Sequence, residues 1–234
     1  MISFEILEAF QNHLRPLKHE GSLSSFQLVA QAIDLISKYY SSVVVRSTIT
    51  PFNVNKLPEM VKFIADRFPK VRKIQVELVA DNTTSHRELY NDFLEYFFKA
   101  RIIGNKSNVS LVSMLYTSFF GLKDGVCRGE YCLTPSGNII GCHRHSKTKD
   151  IQHPDFTFGS ITDNKLIIND EKKRTIGNYG VHPFNLCNSC FAQYHCSGGC
   201  RSMARSYNDK QKREYCEFVK AFYKRLILTK LNSI

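Results

Sequence analysis

The chain has 234 residues, 43% of them hydrophobic, and carries a formal net charge of +11. Its apolar content is enough for one or two ordinary cores. No run of 18 apolar residues exists, which argues against a spanning helix, and Glu5 and Glu8 stand where an export signal needs basic and then apolar residues.

The first hundred residues alternate strand and helix patterns. "MISFEI" reads as a short opening strand. Residues 24–39 place Phe26, Val29, Ala30, Ile33 and Ile36 on one helical face. A β-branched run follows at 43–49. A helix is expected over 56–68, with Pro58 early and Pro69 as its stop. "RKIQVELV", 72–79, is the next strand. A longer helix over 86–103 turns Leu89, Phe93, Leu94 and Phe97 inward and is expected to end at Gly104. Strands about thirty residues apart with a helix between are βαβ units, and so predict parallel pairing.

Beyond residue 105 helical periodicity fades and all eight cysteines appear. Residues 105–126 read as a linker, and 130–142 as a β-hairpin in which Gly137 suits a positive φ. Residues 143–186 read as loop, and 212–230 as a last helix. The basic residues are scattered, with a denser run from Lys210 to Lys230 that reads as a solvated helix face rather than a nucleic-acid contact.

The cysteines are Cys127, Cys132, Cys142, Cys187, Cys190, Cys196, Cys200 and Cys216. Without an export signal the cytoplasm is the expected compartment, where clustered thiols bind metal more readily than they form disulfides. Eight thiolates suffice for two four-thiolate sites, of zinc or of [4Fe–4S] clusters. Only Cys187 and Cys190 form the C-x2-C hook usual for structural zinc, and the irregular remaining intervals suit a cuboidal cluster better. Histidines 143, 145, 182 and 195 lie close enough to cysteines in sequence to keep mixed zinc ligation open.

The spacing resembles a known family. Cys127, Gly137 and Cys142 form C-x9-G-x4-C, Cys187 to Cys200 form C-x2-C-x5-C-x3-C, and Cys216 follows alone. This is similar to the seven-cysteine pattern of the SPASM domain, the C-terminal extension of radical S-adenosylmethionine (SAM) enzymes that modify peptides and proteins. Upstream, the Ser3-Phe4-Glu5 strand, Arg15-Pro16 and the later strands resemble strands four to six of the barrel of such enzymes, and "FTFGSITD", 156–163, resembles the stretch between the two cysteine groups.

The resemblance implies the second half of a partial (β/α)6 TIM-like barrel over 1–104, then a cysteine-rich α+β SPASM domain over 127–234. It implies two auxiliary [4Fe–4S] clusters. The inner would be held by Cys127, Cys132, Cys142 and Cys200, and the outer by Cys187, Cys190, Cys196 and Cys216. Ser3 and Arg46 would help hold SAM, though Arg46 has a competing reading as the partner of Glu77 on the next strand. His143 takes the place of a catalytic Asp in sulfatase-maturing relatives, which argues against that activity, and it is a candidate base. The family's C-x3-C-x2-C motif for the SAM-cleaving cluster does not occur in this chain. The chain therefore reads as an N-terminally shortened member, inactive by itself. A third [4Fe–4S] and SAM would belong to the full-length parent or to a separate N-terminal half. The implied partners are a peptide or protein substrate and a reductant protein, with no membrane. The alternatives are a non-catalytic iron–sulfur electron carrier and a zinc-stabilised basic binding domain.

Overall fold

The computed structural model describes residues 1–18, 21–79, 86–122, 127–145, 156–177 and 187–231. The chain is an α/β protein that divides into two compact units, Met1–Thr117 with Arg213–Ile234, and Ser118–Lys212. Among the described residues no helix is long and apolar enough to cross a membrane.

The first unit is built on four parallel strands, β1 (Ile2–Ser3), β2 (Val43–Ile49), β3 (Val71–Leu78) and β4 (Ser110–Val112), lying side by side in chain order. Helices α1 (Glu8–Leu14), α2 (Ser25–Tyr39), α3 (Leu57–Arg67) and α4 (Arg87–Lys106) fill the crossovers. Each crossover moves the chain one strand in the same direction. Right-handed connections therefore set every helix on one face of the sheet. The strands show it: Val45, Ile74 and Leu111 are paired in register and fully buried. Their neighbours Arg46 and Gln75 point to the other, less covered face.

Local chemistry explains the helix ends. Ser24 and Gln27 form a reciprocal capping box at the start of α2, each side chain accepting from the other's backbone N–H. On α2, Ala30 and Ile33 are buried while Phe26, Val29 and Ile36 flank them half-buried. Helix α4 does not end at Gly104 but runs on to Lys106. Gly104 serves a different purpose: a Cβ there would lie 2.4 Å from the Val109 carbonyl oxygen, and the Val109 N–H donates to the Gly104 carbonyl. The glycine lets the chain fold back tightly into β4.

Residues 105–126, expected to be a linker, contain β4 and a short helix α5 (Met114–Ser118). The last helix, α9 (Asp209–Leu231), begins three residues earlier than its periodicity indicated, and from Arg213 on it belongs to the first unit.

The second unit contains a four-stranded antiparallel sheet of β5 (Cys132–Leu133), β6 (Asn138–Ile140), β7 (Thr157–Thr162) and β8 (Lys165–Ile168), again in chain order. Gly137 takes the expected positive φ of 81° in the β5–β6 turn. The hairpin β7–β8 lies where loop was expected. Asp163 and Asn164 both adopt positive φ between paired Thr162 and Lys165, as a two-residue type I′ turn requires. Helix α6 (Asp170–Gly177) follows, and its Ile176 joins Ile139 and Phe158 in a small core. Helices α7 (Gln193–Cys196) and α8 (Arg201–Ser206) complete the unit.

Candidate metal centre and sheet face

All eight cysteines lie among the described residues, and none is in a disulfide. Seven belong to the second unit, and Cys216 sits on the part of α9 that belongs to the first.

The β5–β6 hairpin organises the first group. Cys132 pairs with Ile140, so Cys142, two residues on, is its diagonal neighbour beyond the end of the ladder. The Glu130 N–H donates to the Gly141 carbonyl and carries the pairing on toward Cys127. Cys127 Sγ accepts from the Gly129 N–H at 3.3 Å. Burial pushes the Cys142 thiol above its ordinary pKa; a hydrogen bond from the Arg144 backbone opposes this, and the nearby Cys200 adds to it. Burial likewise raises Cys132, with Glu130 and Cys142 contributing. Cys142 is thus near enough to Cys200, and Cys132 to Cys142, for their charges to be felt.

Glu130 is the residue that pattern reading missed. Its carboxylate accepts from His143 Nδ1 at 2.7 Å, from the Cys132 thiol at 3.4 Å and from the His143 N–H at 3.4 Å. The hydrogen bond from His143 is the main cause holding the Glu130 carboxyl below the usual range. His143 is exposed and pairs with Glu130. The only available sequence signal was its place two residues before Cys132, on the same strand face.

Residues 187–200 form a series of tight turns. The Cys190 N–H donates to the Cys187 carbonyl, the Gln193 N–H to that of Cys190, and the Gly199 N–H to that of Cys196. Ser197, Gly198 and Gly199 then take φ of 51°, 74° and 74° in succession, a left-handed reversal that explains the Gly-Gly pair before Cys200. His195 stacks on Phe119 and His145 on Phe156, both ring contacts within the second unit. His182 lies outside the described residues.

In donor chemistry these residues fit a thiolate-bound metal: free sulfurs, hook-forming turns and N–H···S contacts. Among the described residues, no group of three or more His, Cys, Asp or Glu side chains is already placed to hold a metal ion.

In the first unit, Ser3 and Arg46 are register partners on adjacent strands, and both are exposed on the open face. Arg46 stands opposite Gln75, whereas Glu77 stands opposite Thr48 and accepts from Gln75 Nε2 and the Met114 N–H. The register therefore does not set Arg46 across from Glu77. At the end of β1 the buried Glu5 carboxylate accepts from Arg15 Nε at 2.9 Å, Ser47 Oγ at 2.8 Å and the Thr48 N–H at 2.9 Å. The Ser-Phe-Glu strand and the Arg-Pro segment, noted separately in the sequence, are thus tied together by an ion pair.

Compared with models of protein families and with curated proteins, the chain matches none of them.

Proposed function

We propose that this chain is the auxiliary-cluster portion of a radical SAM peptide- or protein-modifying system, with its cysteines holding two [4Fe–4S] clusters. The observation that carries the reading is the order and spacing of seven cysteines with Gly137 among them. Cys127, Cys132, Cys142 and Cys200 would hold the inner cluster, and Cys187, Cys190, Cys196 and Cys216 the outer. Such clusters, when bound, supply electron transfer. The chain's own part is to hold them and to frame the substrate. Glu130 supports this role by holding the His143 ring and the Cys132 thiol on one carboxylate oxygen.

The first unit fits the same reading. Parallel strands in chain order, with helices on one face and polar groups on the other, suit a stretch of TIM-like barrel wall. Ser3 and Arg46 lie side by side on the face that such a barrel turns inward, where they would bind the carboxylate or hydroxyls of SAM.

The deciding experiment is iron, sulfide and zinc analysis with a visible spectrum on protein purified without oxygen. About eight irons and eight sulfides per chain, with a broad band near roughly 400 nm that bleaches on reduction, is the expected result. About two zincs and no colour would overturn the reading and leave a zinc-stabilised binding domain. Two clusters without any dependence of peptide modification on this chain would leave an electron carrier.

A further inference from the structure

Helix α9 carries two stripes. Phe218, Phe222 and Leu226 form the buried one. On the opposite side Lys220, Lys224, Ile227, Leu228 and Leu231 recur at the i, i+4, i+7, i+8, i+11 spacing of a second stripe. This one faces out: Ile227 is 37% exposed, Leu228 51% and Leu231 58%. Helix α4 runs alongside in the same direction, since Arg87 pairs with Glu217, Phe93 meets Phe218 and Phe98 meets Phe222. Its Ile102, one turn past Phe98 and 58% exposed, therefore lies level with the end of α9.

The charge beside the outer stripe is of one sign. From Tyr96 to Lys106 and from Phe218 to Leu231 there is no Asp or Glu, while Lys99, Lys106, Lys220, Lys224, Arg225 and Lys230 are basic. The acids just before these stretches are engaged, Glu95 by Lys99 and Glu217 by Arg87. On α3, which packs on α4 at Gly104, Glu59 is held by Lys56, and Asp66 follows Lys62 by one turn. Cations near a helix C-terminus also offset its dipole, which accounts for Lys106 and Lys230. The dipole does not account for Lys220 and Lys224, which lie before the last turn, nor for the exposed aliphatic side chains beyond them.

We infer that the outer stripe of α9 seats on the surface of a bilayer containing anionic phospholipid. Ile227, Leu228 and Leu231 would enter the boundary between headgroups and acyl chains, and Lys220, Lys224 and Lys230 would meet the lipid phosphates and carboxylates. The sequence resemblance implied no membrane partner; a surface contact departs from it and needs no spanning helix. Shape and charge together select this occupant. A stripe on one projecting helix is convex, whereas peptides are held in grooves or along strand edges. Nucleic acid would engage the lysines and leave the leucines in water. A second copy would bring the same basic stripe against itself. The inference involves no cluster and stands or falls apart from the metal assignment.

The test is co-sedimentation of the full chain, as isolated, with vesicles of phosphatidylcholine alone or with roughly 30% phosphatidylserine, at about 0.1 M salt. The chain is expected to bind the mixed vesicles at least about tenfold more tightly than the neutral ones. Leu228→Gln with Leu231→Gln keeps the charge and the buried stripe, and should weaken binding roughly tenfold. Lys220→Gln with Lys224→Gln should weaken it to a similar extent, about tenfold. Lys18→Gln with Lys38→Gln, an equal loss of charge on the α1–α2 side, should change it by less than about twofold. No binding to the mixed vesicles would overturn the proposal. Unchanged binding of the leucine variant, or equal losses from the two lysine pairs, would mean adsorption by net charge and overturn it as well. So would capture of soluble polyglutamate that depends on the same two leucines, or a dimer in sedimentation that the leucine variant makes monomeric.

Discussion

Single residues in this chain are set by close contacts more than by propensity, and Gly104 tests the point. Within an exposed helix, replacing glycine by alanine gains about 1 kcal/mol. At Gly104 the new Cβ would meet the Val109 carbonyl oxygen, a backbone atom that cannot swing aside, while Val61 would be in ordinary contact. Gly104→Ala is therefore expected to destabilise the first unit by about 2 kcal/mol, with the steric cost outweighing the helical gain. Urea unfolding followed by circular dichroism measures it, and a variant as stable as the parent would show that the turn into β4 yields easily. Glu130 teaches the same lesson in the second unit. Apart from its place two residues before Cys132, "RGEYC" does not mark it out until the hairpin folds and brings His143 and Cys132 within reach.

Elements follow their sequence wherever the period is long enough to register. Helices α2, α3 and α4 and strands β2 and β3 were legible because apolar residues recur over three or more turns, form a β-branched run in β2 and alternate in β3. Helix α9 was legible too, and it packs on α4 through aromatic rings. Phe222 is fully buried against Phe93, Phe97 and Phe98 of α4, Arg225 donates to the Leu94 carbonyl, and Arg87 pairs with Glu217. Phe222→Ala should cost roughly 3–5 kcal/mol, and double substitution with Phe97→Ala should cost less than the sum, since the two rings share one contact. Additive losses would mean that the rings pack independently. The elements that escaped notice were β4 and the β7–β8 hairpin. Three residues carry no period, so β4 takes its identity from pairing with β3 rather than from its own sequence. The hairpin did carry a sign, the Asp163-Asn164 pair. However, β8 is apolar at three successive positions and lacks the alternation that marks a half-buried strand. The spacing of the cysteines was equally legible, whereas their neighbours in space were not, because turns and hairpins decide them.

At the scale of the molecule the two units differ in how much apolar material they bury. The first encloses a large aromatic and aliphatic core, including Phe4, Ile33, Ile64, Ile74, Phe93 and Tyr223. In the second, the central core cluster is Ile139, Phe158 and Ile176, with Ile168 packed beside it. Ile140, Phe156, Ala192 and Tyr207 are also buried in this unit, and small domains are commonly fastened by disulfides or metal. None of the cysteines is in a disulfide, and under the proposed reading the fastening of this unit would be metal. Metal bound only by the folded state stabilises it through mass action. Hydrogen exchange should therefore separate the units. In metal-free, reduced protein the amides of β2 and β3 are expected to stay protected, while those of β6 and β7 exchange orders of magnitude faster. Restoring metal should slow β6 and β7 and leave β2 and β3 unchanged. If both sheets kept the same protection with and without metal, the small core would be sufficient by itself, and the cysteines would have no part in holding the second unit together.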